Sequence, residues 1–244
     1  MTGSEQVQQL PARLDPLLAS VIAQLRATRD AEREIFGALD PEARDRPIRP
    51  GDWSPKDHQA HLSLWKGRQA DRYEAIRHGR APLVDPREDD EINAELHATR
   101  ADWAWVDLVA EADAVSQRLE SEVASVDPAV LRSEDRLLAG TFGNGPFHAM
   151  THFGWLIDAE IGLDAAQVDR FVDREEELLR SSPLPESDKA VGLYNIACRH
   201  VLSGRLDRAR PLLRESFTRR PDLRDWAAQD SDLEAIRDEV PSLG

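Results

Sequence analysis

Apolar positions along the first part of the chain recur with the period of a helix. Leu14, Leu17, Leu18, Val21, Ile22 and Leu25, and later Ile35, Phe36 and Leu39, fall on one stripe repeating about every 3.6 residues. They predict a helix from roughly Leu14 to Leu39, with Pro16 tolerated in its first turn. Asp40-Pro41 ends it, because proline disfavours helical geometry at the residue before it. After a loop through Arg46–Asp52, a second helix has a well-marked start. Ser54 suits the N-cap, Pro55 the first helical position, and Asp57 the third, where its side chain can answer the cap. That helix is expected to run past Trp65 and Tyr73 to His78-Gly79, where glycine can close it. A connection rich in Pro and Asp spans Gly79 to Asp90, followed by helical segments near Glu91–Ala98 and Trp103–Ser125. Gly140, Gly143 and Gly145 predict a loop from Leu138 to Gly145. Pro146 then opens a helix from Phe147 to near Ile161, which Gly162 breaks.

Four main helices with long connections predict an all-α bundle over residues 1–163. Residues 164–244 have a different texture and read as a separate helical region. A charged helix, Ala166–Arg180, is followed by the linker Ser181-Ser182-Pro183-Leu184-Pro185, two helices parted at Ser203-Gly204, and a shorter segment near Asp230–Val240. Within this region Ala190–Pro221 resembles one tetratricopeptide repeat. Leu193, Ile196 and Ala197 match its first helix, Gly204 its turn, Ala209 and Leu213 its second helix, and Pro221 its close. Ser216 and His200 depart from the pattern, and Pro211 sits awkwardly inside the second helix. One such repeat cannot bury its faces alone, so it is expected as a short appendix packed on the bundle.

Composition narrows the function. The formal net charge of −15 excludes phosphate-backbone binding and docking on an anionic membrane, so neither nucleic acid nor membrane is an expected partner. The longest early apolar stretch, Leu17–Leu25, is interrupted and too short to span a bilayer. No signal peptide is visible after Met1, which together predicts a cytoplasmic protein. Cys198 is the single cysteine, which excludes an intrachain disulfide and cysteine-rich metal clusters; it is expected as a buried free thiol. Dinucleotide fingerprints, Walker loops and nucleophile elbows are lacking.

The candidate chemistry lies in histidines. His148 and His152 are four apart on one predicted helix and share a face, while His61 sits on another helix. Neutral imidazoles suit zinc, nickel, copper or ferrous iron, and three protein ligands with an open fourth position is the usual plan of a catalytic metal site. Spacing alone does not separate that reading from helical histidines that merely complete a core. His58 lies about one turn before His61 and competes for the same role.

The surrounding motif carries a resemblance. Trp53-Ser54-Pro55-Lys56-Asp57-His58-Gln59-Ala60-His61-Leu62 with Trp65 resembles the second-helix motif of the DinB-like superfamily. Asp89-Asp90-Glu91-Ile92-Asn93, the stretch at Trp105-Val106, and Val126-Asp127-Pro128 before Leu131 resemble its ClbS/DfsB branch. The resemblance covers about residues 10–163 and implies an up-down four-helix bundle with a long crossover. In metal-binding members one histidine comes from the second helix and two from an H-x-x-x-H pair on the last. Those roles fall on His61, and on His148 with His152, with zinc, nickel or iron as the implied divalent metal. The resemblance further implies a small-molecule substrate, thiol transfer or hydrolysis of an electrophile, a detoxifying or self-resistance role, and a homodimer.

Other residues carry two readings each. Asp57 shares a face with His61 and can orient it or simply start the helix; Trp65 and Trp155 can line a pocket or pack in the core. Arg68 and Arg72 can hold an anionic substrate group or form a solvated face. Asn144 can border the site or cap the last helix, and His78, His97 and His200 are given no site role. No catalytic residue beyond a metal is assigned. The rival function is a non-catalytic interaction or ligand-sequestering protein, using the repeat-like appendix to engage a protein partner and the bundle pocket to hold a ligand.

Overall fold

A computed structural model describes residues 14–48, 52–82, 84–133, 135–159 and 161–243; the predicted loop's Arg49-Pro50-Gly51 and the extreme N-terminus lie outside them. The described residues form helices and no strands. The first helix, α1 (Pro16–Gly37), two residues shorter at each end than its apolar stripe suggested, opens with the Asp15 carboxylate accepting from the Leu17 amide at 2.8 Å. After the short α2 (Pro41–Arg44) comes α3 (Pro55–Arg77). Its start is a full capping box: Ser54 Oγ accepts from the Asp57 amide, and the Asp57 carboxylate accepts from the Ser54 amide at 2.8 Å. Its end falls at His78, with Gly79 in the left-handed region at φ 65°.

The crossover carries α4 (Asp89–Arg100) and leads to α5 (Trp105–Ser125) and the short α6 (Pro128–Ser133). Next, where glycines predicted a loop, the chain forms α7 (Asp135–Asn144). Tertiary packing overrides the helix-breaking residues here. Leu137, Leu138 and Phe142 are buried, and Thr141 is sealed between Tyr73 and Gln69, each within 3.1 Å of its hydroxyl. Gly140 lets α7 lie close to α3, since a Cβ there would stand 2.8 Å from Gln69 Oε1 and that side chain would have to shift. A sharp turn at Gly145 then gives α8 (Pro146–Asp158), opened by proline as expected and shorter than predicted.

Helices α1, α3, α5 and α8 pack around one another as the bundle, with α7 against α3 and α8. Beyond them lie α9 (Ala165–Ser181), α10 (Glu186–Leu202), α11 (Leu206–Arg219), α12 (Leu223–Ala227) and a final 3-10 segment, Ser231–Ser242. α10 and α11 form a helical hairpin turned at Gly204 (φ 74°), and Ser216 Oγ donates to the Ala190 carbonyl at 2.8 Å across its open end. Pro211 is accommodated inside α11 on the solvent side, where the carbonyl it leaves without an amide donor can meet water. α9 packs on α1, and α10 on α7, α8 and α9. One buried apolar cluster therefore runs from Val21 and Phe36 through Phe153 and Phe171 to Ile196 and Phe217.

No described helix is long and apolar enough to cross a membrane.

Candidate metal centre

α3 and α8 meet face to face, and the residues at their meeting point are histidines. Nε2 of His61 stands 2.9 Å from Nε2 of His148. Together with His152 these residues offer three nitrogens within 4.8 Å of one another. At the His61–His148 distance one neutral ring can donate its N–H to the other's lone pair, or both lone pairs can face one metal ion. His61 and His152 are buried, at 6% and 2% exposure, while His148 is half-buried.

Burial drives the electrostatics. Desolvation pulls His61 down to about 3, helped by the neighbouring His148. The same cause takes His148 down to about 4, with Lys66 adding to the shift. His152 is lowered furthest in the same direction, by burial and then by its histidine neighbours. All three are therefore neutral and ligand-ready at physiological pH, as metal binding requires. Nδ1 of His61 and of His148, the ring nitrogens not engaged in the His61–His148 contact, are buried without a hydrogen-bond partner, as both ring nitrogens of the core residue His200 also are. Three inward nitrogens, each neutral and mutually close, fit one divalent ion whose tetrahedral ligand nitrogens lie about 3.3 Å apart.

His58 adjoins the trio, outside the group of three mutually close nitrogens. Its Nδ1 lies 2.6 Å from Nδ1 of His152, and its ring is 3% exposed. Burial lowers it to about 4. Trp53 covers this group: its ring centroid is 4.7 Å from that of His61 and 5.6 Å from that of His58. Trp155 also stands beside the group, 4.7 Å from His152 and 52% exposed. Trp65 stands 6.0 Å from His61 and donates through Nε1 to Asn93 Oδ1 at 3.3 Å.

Other sequence candidates are used elsewhere. Asp57 is committed to the capping box and to His97 at 3.3 Å, so it starts the helix and does not orient His61. Arg68 lies over the Trp65 ring and pairs with Asp85 at 3.1 Å, one residue removed from the trio. Arg72 is exposed and passes close to Gly140. Asn144 neither caps α8, whose N-cap is Gly145, nor touches a histidine; it reaches Gln69 Oε1 at 3.5 Å.

Three features escaped the sequence reading. Trp53 belonged to the motif but lies before the helix, where periodicity assigns no face. Asn93, on the crossover, accepts from Trp65 Nε1 at the edge of the site and opposes the lowering of His61, and nothing in its spacing links it to that helix. A buried charge cluster completes the set: Lys66 pairs with Glu32, which also accepts from Arg29 at 3.1 Å, and Arg29 pairs with Asp113 at 2.6 Å. Desolvation lowers Lys66, and Glu32 opposes that shift. Both charges act on His148 with opposite sign, Lys66 the more strongly.

A helical bundle holding a buried trio of histidines on facing helices defines the class. The sequence profile of the DinB superfamily matches residues 24–158, more than half of the chain, and the chain belongs to that superfamily. No curated protein and no solved structure gives a significant match.

Proposed function

We propose that the chain is a metal-dependent enzyme acting on a small electrophilic molecule by hydrolysis or thiol transfer, in a detoxifying or self-protecting role. The observation that carries this reading is the size of the ligand set. Among the described residues the group that can hold an ion comprises His61, His148 and His152, with no carboxylate or thiol as a fourth member. Three protein ligands leave one coordination position for water or substrate, whereas structural sites are closed by four. A divalent ion held there supplies Lewis acidity, lowering the pKa of a bound water or thiol and polarising the electrophile.

The chain's own part is to prepare that position. Burial keeps the imidazoles unprotonated. Trp53 packs its ring on His61, and the exposed Trp155 offers an aromatic surface beside His152. The ClbS/DfsB-like segments favour a reactive toxin over a metabolic intermediate as substrate. X-ray absorption of the zinc-loaded chain tests the reading. Three imidazole nitrogens and one exchangeable light atom are expected. A fourth ligand from the protein overturns the enzyme reading and makes the metal structural.

A further inference from the structure

His148, the least buried of the trio, also lines a cleft that neither the bundle nor the C-terminal helices form alone. Its volume is about 560 Å³. Phe142, Phe147 and Thr151 form one wall from α7 and α8, and Val191 and Asn195 of α10 form the other. That volume lies within the range of small-molecule pockets, roughly 300–1,000 Å³. We propose that this cleft receives the body of the substrate, with α10 as its far wall and His148 at its reactive end. The inference rests on the metal-enzyme reading above and names the part of the chain that reads the substrate.

The lining sets the chemical class. Phenylalanine and valine faces suit an apolar or aromatic body, and Thr151, Ser187 and Asn195 add uncharged hydrogen-bonding groups. One charge of each sign borders the cleft, Asp188 and Arg220, and Arg220 already pairs with Asp222 at 3.0 Å. A chain of net charge −15 gives an anionic ligand no general attraction either. The occupant is therefore an uncharged small organic molecule with an apolar body.

The far wall is fixed in place. A Cβ at Gly192 of α10 would stand 2.6 Å from Leu179 and 3.2 Å from Phe147, so glycine brings α10 against the very ring that lines the cleft. On α8, a methyl group at Gly154 would collide with the guanidinium of Arg199, itself only 5% exposed. Two close approaches between α8 and α10 thus hold the walls at a set separation, which is what a built pocket needs and a loosely attached appendix lacks.

The test uses the full-length chain loaded with cobalt(II), whose visible absorption reports ligands entering the open position. Imidazole and the bulkier phenylimidazole are titrated into wild type, Val191→Trp and Ser187→Trp, with Leu202→Trp as a control at the exposed C-terminal end of α10, outside the cleft lining. Ser187 is exposed, so its variant keeps the test valid even where tryptophan at 191 disturbs folding. Phenylimidazole is expected to bind roughly tenfold more weakly in the two cleft variants, with imidazole unchanged and the control like wild type. Equal binding of phenylimidazole in all four proteins overturns the cleft and leaves the metal reading standing. A parallel loss of imidazole binding overturns it too, because the substitution then acts on the ion's ligands. A chain that takes up no cobalt overturns both readings together.

Discussion

His152 has two ring nitrogens, and one of them is already engaged, because Nδ1 faces Nδ1 of His58 at 2.6 Å. One proton must be shared across that contact, which leaves Nε2 of His152 for an ion and fixes the ring's orientation. His58 thus takes the place a carboxylate often fills behind a metal-bound histidine. His58→Gln is expected to keep stoichiometric metal while weakening affinity by about 10–100-fold, measured by competition with a chelator. Complete loss of metal would make His58 a ligand, and unchanged affinity would make it a packing residue. At this scale the trio was legible as a spacing and a motif, but its surroundings were not. Sequence separates Asn93 from Trp65 by a crossover, and only the fold brings them within hydrogen-bond reach. Asp57 was ambiguous in sequence because a helix start and a ligand-orienting carboxylate occupy the same face; the capping box decides it.

Among the elements, α3 was readable to its ends because proline, serine, aspartate and glycine each marked a boundary. α7 was not, since its glycines argue locally against the helix that Tyr73, Gln69 and the core impose. The turn between α7 and α8 aims His148 at α3, and Gly145 makes it possible. A Cβ there would stand 2.7 Å from the Thr141 carbonyl oxygen and 3.1 Å from Leu25, and a backbone atom cannot easily give way. Gly145→Ala should therefore cost about 1–3 kcal/mol in denaturant unfolding and lower metal affinity in the same variant. A variant as stable as wild type would show that the turn relaxes freely. α10 and α11 were found at the predicted break, and Pro211 shows that a misplaced proline is tolerable where its face meets water.

Across the whole molecule, buried titratable groups tie stability to pH. His58, His61, His148, His152 and His200 all have folded pKa values lowered by burial. Below the ordinary histidine value, about 6.5, the unfolded chain takes up protons that the folded chain refuses. Stability of the metal-free protein is therefore lost as pH falls from there toward 4. Glu175 acts in the opposite direction: it is 1% exposed, neither carboxylate oxygen has a hydrogen-bond partner, and burial raises its pKa. Above the ordinary carboxylate value the unfolded chain releases this proton while the folded chain keeps it, so stability declines as pH rises. Thermal melts should show Glu175→Gln raising Tm at neutral pH and leaving it unchanged near pH 4. An equal gain at both pH values would mean that ionisation of Glu175 is not the cause. None of this was visible in sequence, where Glu175 looks like one more charge on a charged helix. The helical class was visible, because periodic apolar stripes survive whatever the tertiary details.

The histidine trio remains the centre of the account, and elemental analysis of the purified full-length chain tests it most directly. About one equivalent of divalent metal is expected in the wild type, falling to near none in both His61→Ala and His148→Ala. The same metal content in all three proteins would contradict the assignment of the site.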